Sequence, residues 1–409
     1  MKRGYKFRIY PNSEQEIVLK KTLGCCRFVY NHALAMRSDA WKNDQKSVGF
    51  AGTCRALTVL KSQSETEWLG EVSNVALQQS IRNADVAFSN FFKKRSQYPK
   101  FKKRKNGGSA KFTNWGFRLK DDSFYVAKIK TPIRVAWSRE LPSEPSSCTI
   151  SQNPSGQWFV SFTCETEVAP YAKTNKRIGI DLGVETFATF SDGTKVSQPK
   201  SIRKLRRKLA KAQWSHSRKK IGSKNREKAR IKVARTHQRI ANIRNDFLHK
   251  LSSSIVRENQ TIAIEDLAVS KMVKNRRLAR CISEQGWCKF RTMLEYKAEW
   301  YGRQIIVVDK YLPSSQTCNA CGKTNKVSLD KRKFTCECSV TYDRDINAAK
   351  NILAAGMAVS ACGVDGRPLE NYVFKGNRQR SRKPKVQTSE SPLLAAGYFN
   401  LTRLDAIIF

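Results

Sequence analysis

Three acidic residues in this chain stand where apolar segments end or where a helix begins. Asp181 closes the segment RIGID, Glu265 closes TIAIE, and Asp345 opens the helix DINAAKNIL. Because strand ends are rigid, carboxylates placed there can hold two Mg²⁺ ions about 3.5 to 4 Å apart, activating a water molecule and stabilising the leaving oxygen of a phosphodiester. These residues therefore predict a metal-dependent nuclease site made of the three carboxylates.

Three further acids are close in the sequence and are expected to stay outside this site. Glu185 follows a glycine turn and is expected on the second strand, while Asp343 precedes the helix and is interpreted as structural. Asp266 comes directly after Glu265, so its side chain is expected on the opposite face of the strand. Any single acid of this kind could equally be a solvated strand-end or helix-cap residue. The order and context of the first three acids favour a joint site.

Four cysteines gather within 21 positions, as C-x-x-C at Cys318 and Cys321 and as C-x-C at Cys336 and Cys338. Four thiolates supplied by two tight turns are typical of a tetrahedral Zn²⁺ site. No histidine is near them in the sequence, so the site is expected to be all sulfur and structural. The shorter second pair predicts strain and weaker metal binding there. The alternative is four reduced thiols in a loop.

The charge of the chain predicts a nucleic-acid partner. Its 409 residues, enough for two or three domains, include 77 Lys and Arg against 34 Asp and Glu, a net charge of +43. Such a charge repels itself unless a polyanion neutralises it. Basic helices are predicted at 200–250, and the basic run 93–105 includes Tyr98 and Phe101. The cations of both segments would contact phosphates, while the aromatic rings of the run 93–105 stack on bases.

A membrane surface is the alternative partner for so basic a chain. No apolar run approaches the ~20 residues of a spanning helix, and the opening MKRGYKFRIYPNSEQ lacks the apolar core of a signal peptide. Several cysteines are scattered singly while four gather as if for a metal, which suits a reducing compartment. These features predict a cytoplasmic protein with no membrane partner.

The first part of the chain changes from strand to helix and back to strand patterns. Residues 3–10 alternate basic and apolar side chains and are predicted to form an edge strand. Ser13 is a candidate helix cap with Glu16 at the capping-box position, and a strongly periodic helix is predicted at about 75–92. After a glycine pair, short strand patterns continue to about residue 166 and predict a small barrel.

The second part has the pattern of an α/β domain. The segment RIGIDLGVETFATF predicts a strand, a glycine turn and a second strand at the start of a β-meander. TIAIEDL predicts another buried strand, residues 283–302 a helix, and QIIVV a third interior strand. The last helix is predicted to start near Asp345, and beyond Gly356 the pattern changes to one typical of disorder.

Several strings of residues, taken together, are similar to one known family. They resemble the TnpB family of transposon-encoded proteins, relatives of the type V CRISPR effectors. The resemblance spans about residues 3–355 and is carried by FRIYPNSEQ, GCCRFVYNHAL, ALQQSIRNADVAFSNFF, YPKFKKRK, IGIDLGVETFAT, IEDLAVSKM, PSSQTCNACG and DRDINAAKNIL.

The resemblance implies a multidomain α/β fold. Its parts are an RNase H-like RuvC nuclease core, a β-barrel wedge domain, a helical recognition domain and an inserted zinc knuckle that binds target nucleic acid. The implied boundaries are 1–12 and 107–173 for the wedge, 13–106 for the helical domain, 174–314 and 340–356 for the nuclease core, 315–339 for the zinc insert and 357–409 for a disordered tail.

The resemblance also implies an activity, which is RNA-guided cleavage of double-stranded DNA beside a short transposon-adjacent motif. The guide RNA would be made from the transposon end. The acids of the family, which hold two Mg²⁺ ions, and its zinc cysteines fall residue by residue on Asp181, Glu265 and Asp345, and on Cys318, Cys321, Cys336 and Cys338.

Two other activities stay open on the residues alone. One is an RNA-guided DNA binder that represses transcription without cutting. All three acids are present here, which argues against the relatives in which such acids are replaced. The other is a transposase that joins DNA strands through a covalent intermediate on a tyrosine, and no paired histidines near a tyrosine support it.

Overall fold

The computed structural model describes residues 1–325 and 332–362. The chain divides into two units, Met1–Ser360 and Ala361–Phe409, and the features below belong to the first. The last helix continues to Cys362, so the disorder expected from residue 357 is wrong for the first six positions, and the remainder of that tail lies outside the described residues. Within the described ranges, no helix has the length and apolar character needed to cross a membrane.

Helices and strands follow one another along the described chain. The helices are α1 (Ser13–Asp44), α2 (Phe50–Ser62), α3 (Asn74–Phe92), α4 (Lys200–Ser217), α5 (Lys224–Glu258), α6 (Val269–Met272), α7 (Ala279–Gln285), α8 (Trp287–Tyr301) and α9 (Arg344–Cys362). The strands are β1 (Lys2–Tyr10), β2 (Gly108–Thr113), β3 (Phe117–Lys120), β4 (Ser123–Val126), β5 (Arg134–Ala136), β6 (Ser147–Gln152), β7 (Trp158–Glu165), β8 (Arg177–Asp181), β9 (Ala188–Phe190), β10 (Lys195–Val196), β11 (Thr261–Glu265), β12 (Gln304–Val308), β13 (Lys333–Thr335) and β14 (Thr341–Asp343).

Helix α1 starts from a capping box one residue earlier than its sequence predicts. Asn12 Oδ1 accepts from the Gln15 amide at 2.8 Å, and Gln15 Oε1 accepts from the Asn12 amide at 3.0 Å. The prediction that Ser13 and Glu16 form the capping box is wrong. Gln15 Nε2 also donates to the Thr131 hydroxyl at 2.9 Å, so the amide that closes the cap connects the helix to the loop before β5.

Glycine separates two helices where the sequence predicts one at 283–302. Gly286 has a φ of +77° and ends α7, and α8 begins at the next residue. Gly302, with a φ of +67°, ends α8 as expected. A left-handed backbone conformation stops a helix at little cost when the residue is glycine.

The first sheet has the strand order β2-β6-β7-β1-β5, and all its pairs are antiparallel. The prediction of an edge strand at 3–10 is wrong, because β1 lies between β7 and β5. Its alternation arises from burial of one face: Phe7 and Ile9 pack with α1 and α3 residues such as Leu19 and Leu77, while the basic residues face outward.

The predicted small barrel remains a prediction. The β3–β4 hairpin is joined to the first sheet by the bridge between Phe124 and Ile133. Among the described residues, the strand pairings leave that sheet open between β2 and β5. The two parts share one apolar core, in which Phe124 and Phe162 are fully buried.

The second sheet has the order β10-β9-β8-β11-β12 and contains the strands that end in acids. Strands β8, β11 and β12 are parallel, and β9 returns antiparallel to β8. Strand β12 is an edge strand, so the interior position expected for QIIVV is wrong. Its apolar run is explained by cover on both faces, because Val308 packs with Ile352 of α9 while Ile305 packs against the core under α8.

Two layers of helices cover the second sheet. On one face, Ile180 and Ile264 pack with Leu248 of α5 and Phe290 of α8, and all four are fully buried. On the other face lies α9, so close that a Cβ on Gly356 would approach the Cβ of Ala263 to 2.8 Å. Alternation along the strands therefore separates an apolar face from the face that carries the terminal acids.

Candidate nuclease and zinc sites

Parallel pairing of β8 with β11 places Asp181 beside Glu265. Ile180 lies opposite Ile264 in the ladder, and each acid is the next residue of its strand. Equivalent residues of parallel strands point to the same face. The two carboxylates therefore emerge side by side at the carboxyl end of the sheet.

Helix α9 brings the third acid to the same end. A Cβ on Gly179 would overlap the carbonyl oxygen of Ala349, so only glycine allows the α9 backbone to contact β8 at this point. Gly179 and Asp181 share one face of β8. Asp345 is in the first turn of α9, one turn before Ala349. Close packing at a single glycine thus positions the start of the helix over the strand-end acids.

The three acids influence one another electrostatically. Burial raises the pKa of Asp181 to about 7, with further contributions from the charges of Glu265 and Asp345, while Arg344 and the backbone amide of Leu182 lower it. Ionising Asp181 is therefore costly in the metal-free protein. Divalent cations, which prefer oxygen ligands, would relieve this cost, so the donor set fits Mg²⁺.

Ser314 holds Glu265 in place. The serine hydroxyl donates to Glu265 Oε1 at 2.6 Å, and Ser314 is itself buried. Burial raises the pKa of Glu265, and the serine hydrogen bond lowers it. The hydrogen bond thus favours the ionised carboxylate, the form that binds a metal.

Two arginines lie against Asp345. Arg332 Nη1 donates to Asp345 Oδ2 at 2.9 Å, and Arg344 Nε is 3.8 Å from Asp345 Oδ1. Among the described residues, the group whose ligand atoms lie close enough to share a metal ion is that of the four cysteines. The carboxylate oxygens of the three acids lie farther apart than those sulfurs. The Asp345 carboxylate thus faces two guanidinium groups.

Sequence reasoning missed Ser314 and Arg332. Ser314 belongs to the string PSSQTCNACG, but nothing in that string shows that its hydroxyl reaches a strand 49 residues away. Arg332 is one of many cations in a basic chain, so charge alone could not single it out. Only the tertiary contacts reveal both residues.

The neighbouring acids have partners of their own. Glu185 lies in the loop between β8 and β9, so its predicted place on the second strand is wrong, and it pairs with Arg332. Asp266 is exposed and pairs with Arg291. Asp343 Oδ1 accepts from the amides of Asp345 and Ile346 at 3.1 and 3.2 Å. Asp343 therefore caps α9, in agreement with the structural role expected of it.

The four cysteine sulfurs converge on one point. All Sγ atoms of Cys318, Cys321, Cys336 and Cys338 lie within 4.8 Å of one another, with 3.7 Å between Cys318 and Cys338 and 3.6 Å between Cys321 and Cys336. A tetrahedral zinc with Zn–S bonds of ~2.3 Å requires sulfurs about 3.8 Å apart. The four thiols thus fit a zinc ion, and the short C-x-C spacing does not keep its sulfurs away.

Local hydrogen bonds favour the thiolate form of Cys318 and Cys336, whereas burial and the other three thiols raise the pKa of Cys321 to about 12. The Tyr342 hydroxyl lies 3.3 Å from Cys318 Sγ and, together with the backbone amides of Cys321 and Ala320, lowers the pKa of Cys318 to about 6. The backbone amide of Cys338 likewise lowers the pKa of Cys336. Thiolates are the form of cysteine that binds zinc.

Two asparagines connect the cysteine cluster to the carboxylate site. Asn351 Nδ2 donates to the Ser314 and Thr317 carbonyl oxygens at 2.8 and 2.6 Å, and Asn347 Nδ2 donates to Thr317 at 2.7 Å. Asn347 Oδ1 accepts from the Asn319 amide at 3.0 Å. The loop that carries Ser314 at one end and the first zinc ligands at the other is therefore fixed to α9.

The basic run 93–105 uses part of its aromatic surface internally. The Tyr98 ring packs edge-on against Phe91 with centroids 5.3 Å apart, and its hydroxyl lies 2.6 Å from that of Ser38. Phe101 is 55% exposed. Of the two aromatic residues expected to stack on bases, Phe101 is the more accessible.

Sequence profiles of known families match three parts of the chain. They are described as a helix-turn-helix domain at residues 1–46, "Probable transposase" of the OrfB/IS605 type at 161–276, and a Cas12f1-like TNB domain at 287–352. A curated relative from Streptomyces pristinaespiralis, named "Putative RNA-guided DNA endonuclease", is 46% identical over 398 residues, which is 96% of this chain and 99% of that protein. The chain belongs to the TnpB family.

Further comparisons agree with the TnpB assignment, and the resemblance seen in the motifs is confirmed. An Escherichia coli relative named "Putative RNA-guided DNA endonuclease InsQ" is 36% identical over 90% of this chain and 97% of its own length. Residues 1–46, matched by the helix-turn-helix profile, form one strand and one long helix in this TnpB-family chain.

A solved structure shares the fold of the chain. The Cas12f1 chain of a complex with sgRNA and target DNA matches with a TM-score of 0.52 and 14% sequence identity, over 86% of this chain and 98% of that one. The expected multidomain α/β fold is therefore confirmed at the level of a Cas12-like architecture.

Proposed function

We propose that this TnpB-family chain is the RNA-guided DNA endonuclease of an insertion sequence. It cleaves double-stranded target DNA beside a short transposon-adjacent motif by metal-dependent hydrolysis of phosphodiester bonds. One observation carries the proposal: Asp181, Glu265 and Asp345, from two parallel strands and the helix that covers them, interact at one end of the sheet. The names of the two relatives support it.

In this proposal Asp181, Glu265 and Asp345 together hold two Mg²⁺ ions. Bound ions would supply an activated water and stabilise the leaving oxygen of the phosphodiester. Ser314 keeps the Glu265 carboxylate ionised and oriented through its hydrogen bond. The acids are only partly buried, which leaves the site open to a DNA strand.

Arg332 and Arg344 have a separate role in the proposal. Their guanidinium groups offset the negative charge of Asp345 before metal binds. Positive charge beside the acids also favours the approach of an anionic phosphodiester. Arg332 lies just before β13, the strand that leads to Cys336, so metal binding by the cysteine cluster would influence the position of Arg332 at the nuclease site.

The domain boundaries expected from the resemblance are part of the proposal. Residues 174–314 and 340–356 form the RuvC nuclease core, and 315–339 the zinc-binding insert that contacts target nucleic acid. Residues 1–12 and 107–173 form the wedge, and 13–106 the helical recognition domain. One structural zinc ion is held by Cys318, Cys321, Cys336 and Cys338, whose sulfur geometry supports it.

The partners are a guide RNA made from the transposon end and double-stranded target DNA. The net charge of +43 supports a polyanionic partner. The matching Cas12f1 structure is a complex with sgRNA and target DNA. Pairing with the guide would choose the target sequence, while the protein holds the heteroduplex by its backbone. A cytoplasmic location follows from these partners.

The test is cleavage by the protein purified with its co-expressed RNA. A plasmid carrying the matched target is incubated with the complex and Mg²⁺, and linear product is followed. Asp181→Ala is expected to abolish product while target binding persists. Asp192→Asn is the control, because Asp192 accepts a hydrogen bond from the Thr194 amide in the turn after β9, and an asparagine oxygen can do the same.

Each outcome separates the candidate activities. Cleavage that persists in Asp181→Ala would refute the site. Stable binding by the unmodified protein with no product over hours would instead identify an RNA-guided repressor. Strand transfer that is lost in a single tyrosine variant would favour the transposase.

A further inference from the structure

A cleft between α4 and α5 is lined by five cations together with Leu205, Ile231 and Thr236. Its volume is about 370 Å³, and its charged lining is Lys208 of α4 with Lys228, Lys232, Arg235 and Arg239 of α5. All five side chains belong to exposed residues. Among the described residues no carboxylate lines the cleft, so every charged side chain that a ligand would meet there is positive.

Helices α4 and α5 form a helical hairpin, and this hairpin contains almost no acidic residues that could neutralise the cations of the cleft. Between residues 200 and 242 the sequence contains a single acid, Glu227, and Arg230 pairs with it at 2.5 Å. Within the described part of the chain, none of the five cleft cations forms an ion pair. Their charge is therefore available to a ligand from outside.

The spacing of the cations suits the backbone of a nucleic-acid strand. Lys228, Lys232, Arg235 and Arg239 recur at intervals of three and four residues, which places them on one face of α5. From the first to the last, the helix rises ~16 Å. One strand of a duplex carries a phosphate roughly every 3.4 Å, so this stripe faces about five phosphates.

The hairpin has little apolar burial to offset the repulsion among these charges. Helix α4 buries Ile202 and Ala212, and the first half of α5 buries Thr236 and Ile240. So few buried apolar groups contribute little free energy against like-charge repulsion. A polyanion that stays bound would relieve this repulsion continuously, whereas one that comes and goes with each target would relieve it only part of the time.

The hairpin is also fixed to the first sheet. Asn153, in the turn between β6 and β7, donates to Gln238 Oε1 at 2.9 Å, and Arg230 donates to the Pro154 carbonyl oxygen at 3.2 Å. The cleft therefore has a fixed position relative to that sheet, and a strand bound in it would be held in one orientation.

We propose that the α4–α5 cleft binds the phosphodiester backbone of the guide RNA and is the resident RNA site of this chain. The inference rests on the proposed function, because only an RNA-guided protein keeps an RNA bound between targets. Recognition is by charge along the backbone and does not depend on base sequence.

The test compares two variants with equal loss of charge. The cleft variant carries Lys228→Gln, Lys232→Gln, Arg235→Gln and Arg239→Gln. The control variant carries Arg203→Gln, Arg207→Gln, Lys219→Gln and Lys220→Gln, which are exposed residues of the same hairpin outside the cleft. Binding of labelled guide RNA is measured at several salt concentrations, and a melting curve of each variant reports folding.

The cleft variant is expected to bind RNA roughly ten-fold or more weakly. The slope of log K against log salt concentration should become less steep by about 3, because four phosphate contacts contribute ~0.7 each on a single strand. The control should stay near the unmodified protein. Equal slopes for the two variants would overturn the proposal. So would a defect seen only when the RNA-loaded complex binds target DNA, since the cleft would then hold DNA.

A second measurement needs no variant. In the unmodified protein, bound guide RNA is expected to protect Lys208, Lys228 and Lys232 from acetylation, while Lys219 and Lys220 stay reactive. Absence of this difference would also overturn the proposal. If the unmodified protein binds guide RNA but does not cut, the endonuclease proposal fails while the cleft assignment stands.

Discussion

Arg332 donates to the Asp345 carboxylate at 2.9 Å, which connects the cysteine-bearing insert to the helix that carries the third acid. The same guanidinium contacts Glu185 in the loop after β8. Arg332 thus bridges the two acids. In the proposed site a metal ion would require the Asp345 oxygens, so the arginine and the metal would compete for one carboxylate.

Replacing Arg332 is expected to tighten divalent-ion binding. The Arg332 side chain is 45% exposed, so its ion pair with Asp345 contributes at most about 1 kcal/mol, or about a five-fold change in affinity. Arg332→Gln should lower the dissociation constant for Mn²⁺ by up to this factor, measured by calorimetry without nucleic acid. Arg332→Lys keeps the charge and should change it less. Unchanged or weaker Mn²⁺ binding in Arg332→Gln would contradict the competition.

Removing the Ser314 hydroxyl is expected to shift the pH dependence of cleavage. The hydroxyl lowers the pKa of Glu265, so Ser314→Ala should raise it. A hydrogen bond to a charged group contributes about 1.5–3 kcal/mol. The acidic limb of the rate profile should therefore move to higher pH. Ser314→Thr retains a hydroxyl and is the control, and an unmoved limb in Ser314→Ala would refute the positioning role.

The raised pKa of Asp181 predicts how the metal-free protein responds to pH. The folded pKa, about 7, exceeds the ordinary 3.8, so the folded state binds the extra proton between these values. Its contribution to stability is complete below pH 3.8 and is lost as the pH rises through about 7. In EDTA, the melting temperature of Asp181→Asn minus that of the unmodified protein should therefore increase from pH 5 to pH 8. A constant difference between the two curves would show that the pKa is not raised.

Disrupting the cysteine cluster is expected to remove one zinc ion per chain. Cys338→Ser takes away one of the four converging sulfurs and should reduce bound zinc from about one equivalent toward zero, measured by mass spectrometry of the metal. The melting temperature should fall, because the loop ends of the insert lose their cross-link. Cys288→Ser is the control, since Cys288 is an exposed thiol outside the cluster. Full zinc content in Cys338→Ser would contradict the ligand assignment.

Much of the architecture could be predicted because it depends on local patterns. The buried strands that end in Asp181 and Glu265 are largely apolar runs, and the helix that carries Asp345 in its first turn follows the capping acid Asp343. The predicted cap of α1 was wrong because two neighbouring residues could both fill that role. Asn12 caps α1 in place of Ser13, and its partner Gln15 also contacts the loop before β5.

Strand order could not be predicted from the same patterns. An alternating strand such as β1 looks alike at the edge and in the interior of a sheet with one buried face. An apolar strand such as β12 looks interior although it is an edge strand covered by helices on both faces. Pairing depends on partners that are distant in the chain, and burial alone does not identify them.

The sequence by itself determined which side chains are available for chemistry: three acids at element ends, four cysteines in two tight turns, and a large excess of cations. Only the tertiary structure decided which of them meet. Parallel register sets Asp181 beside Glu265, and the close approach of α9 at Gly179 delivers Asp345. Such contacts depend on backbone packing between distant segments, whereas side-chain type and spacing are local properties.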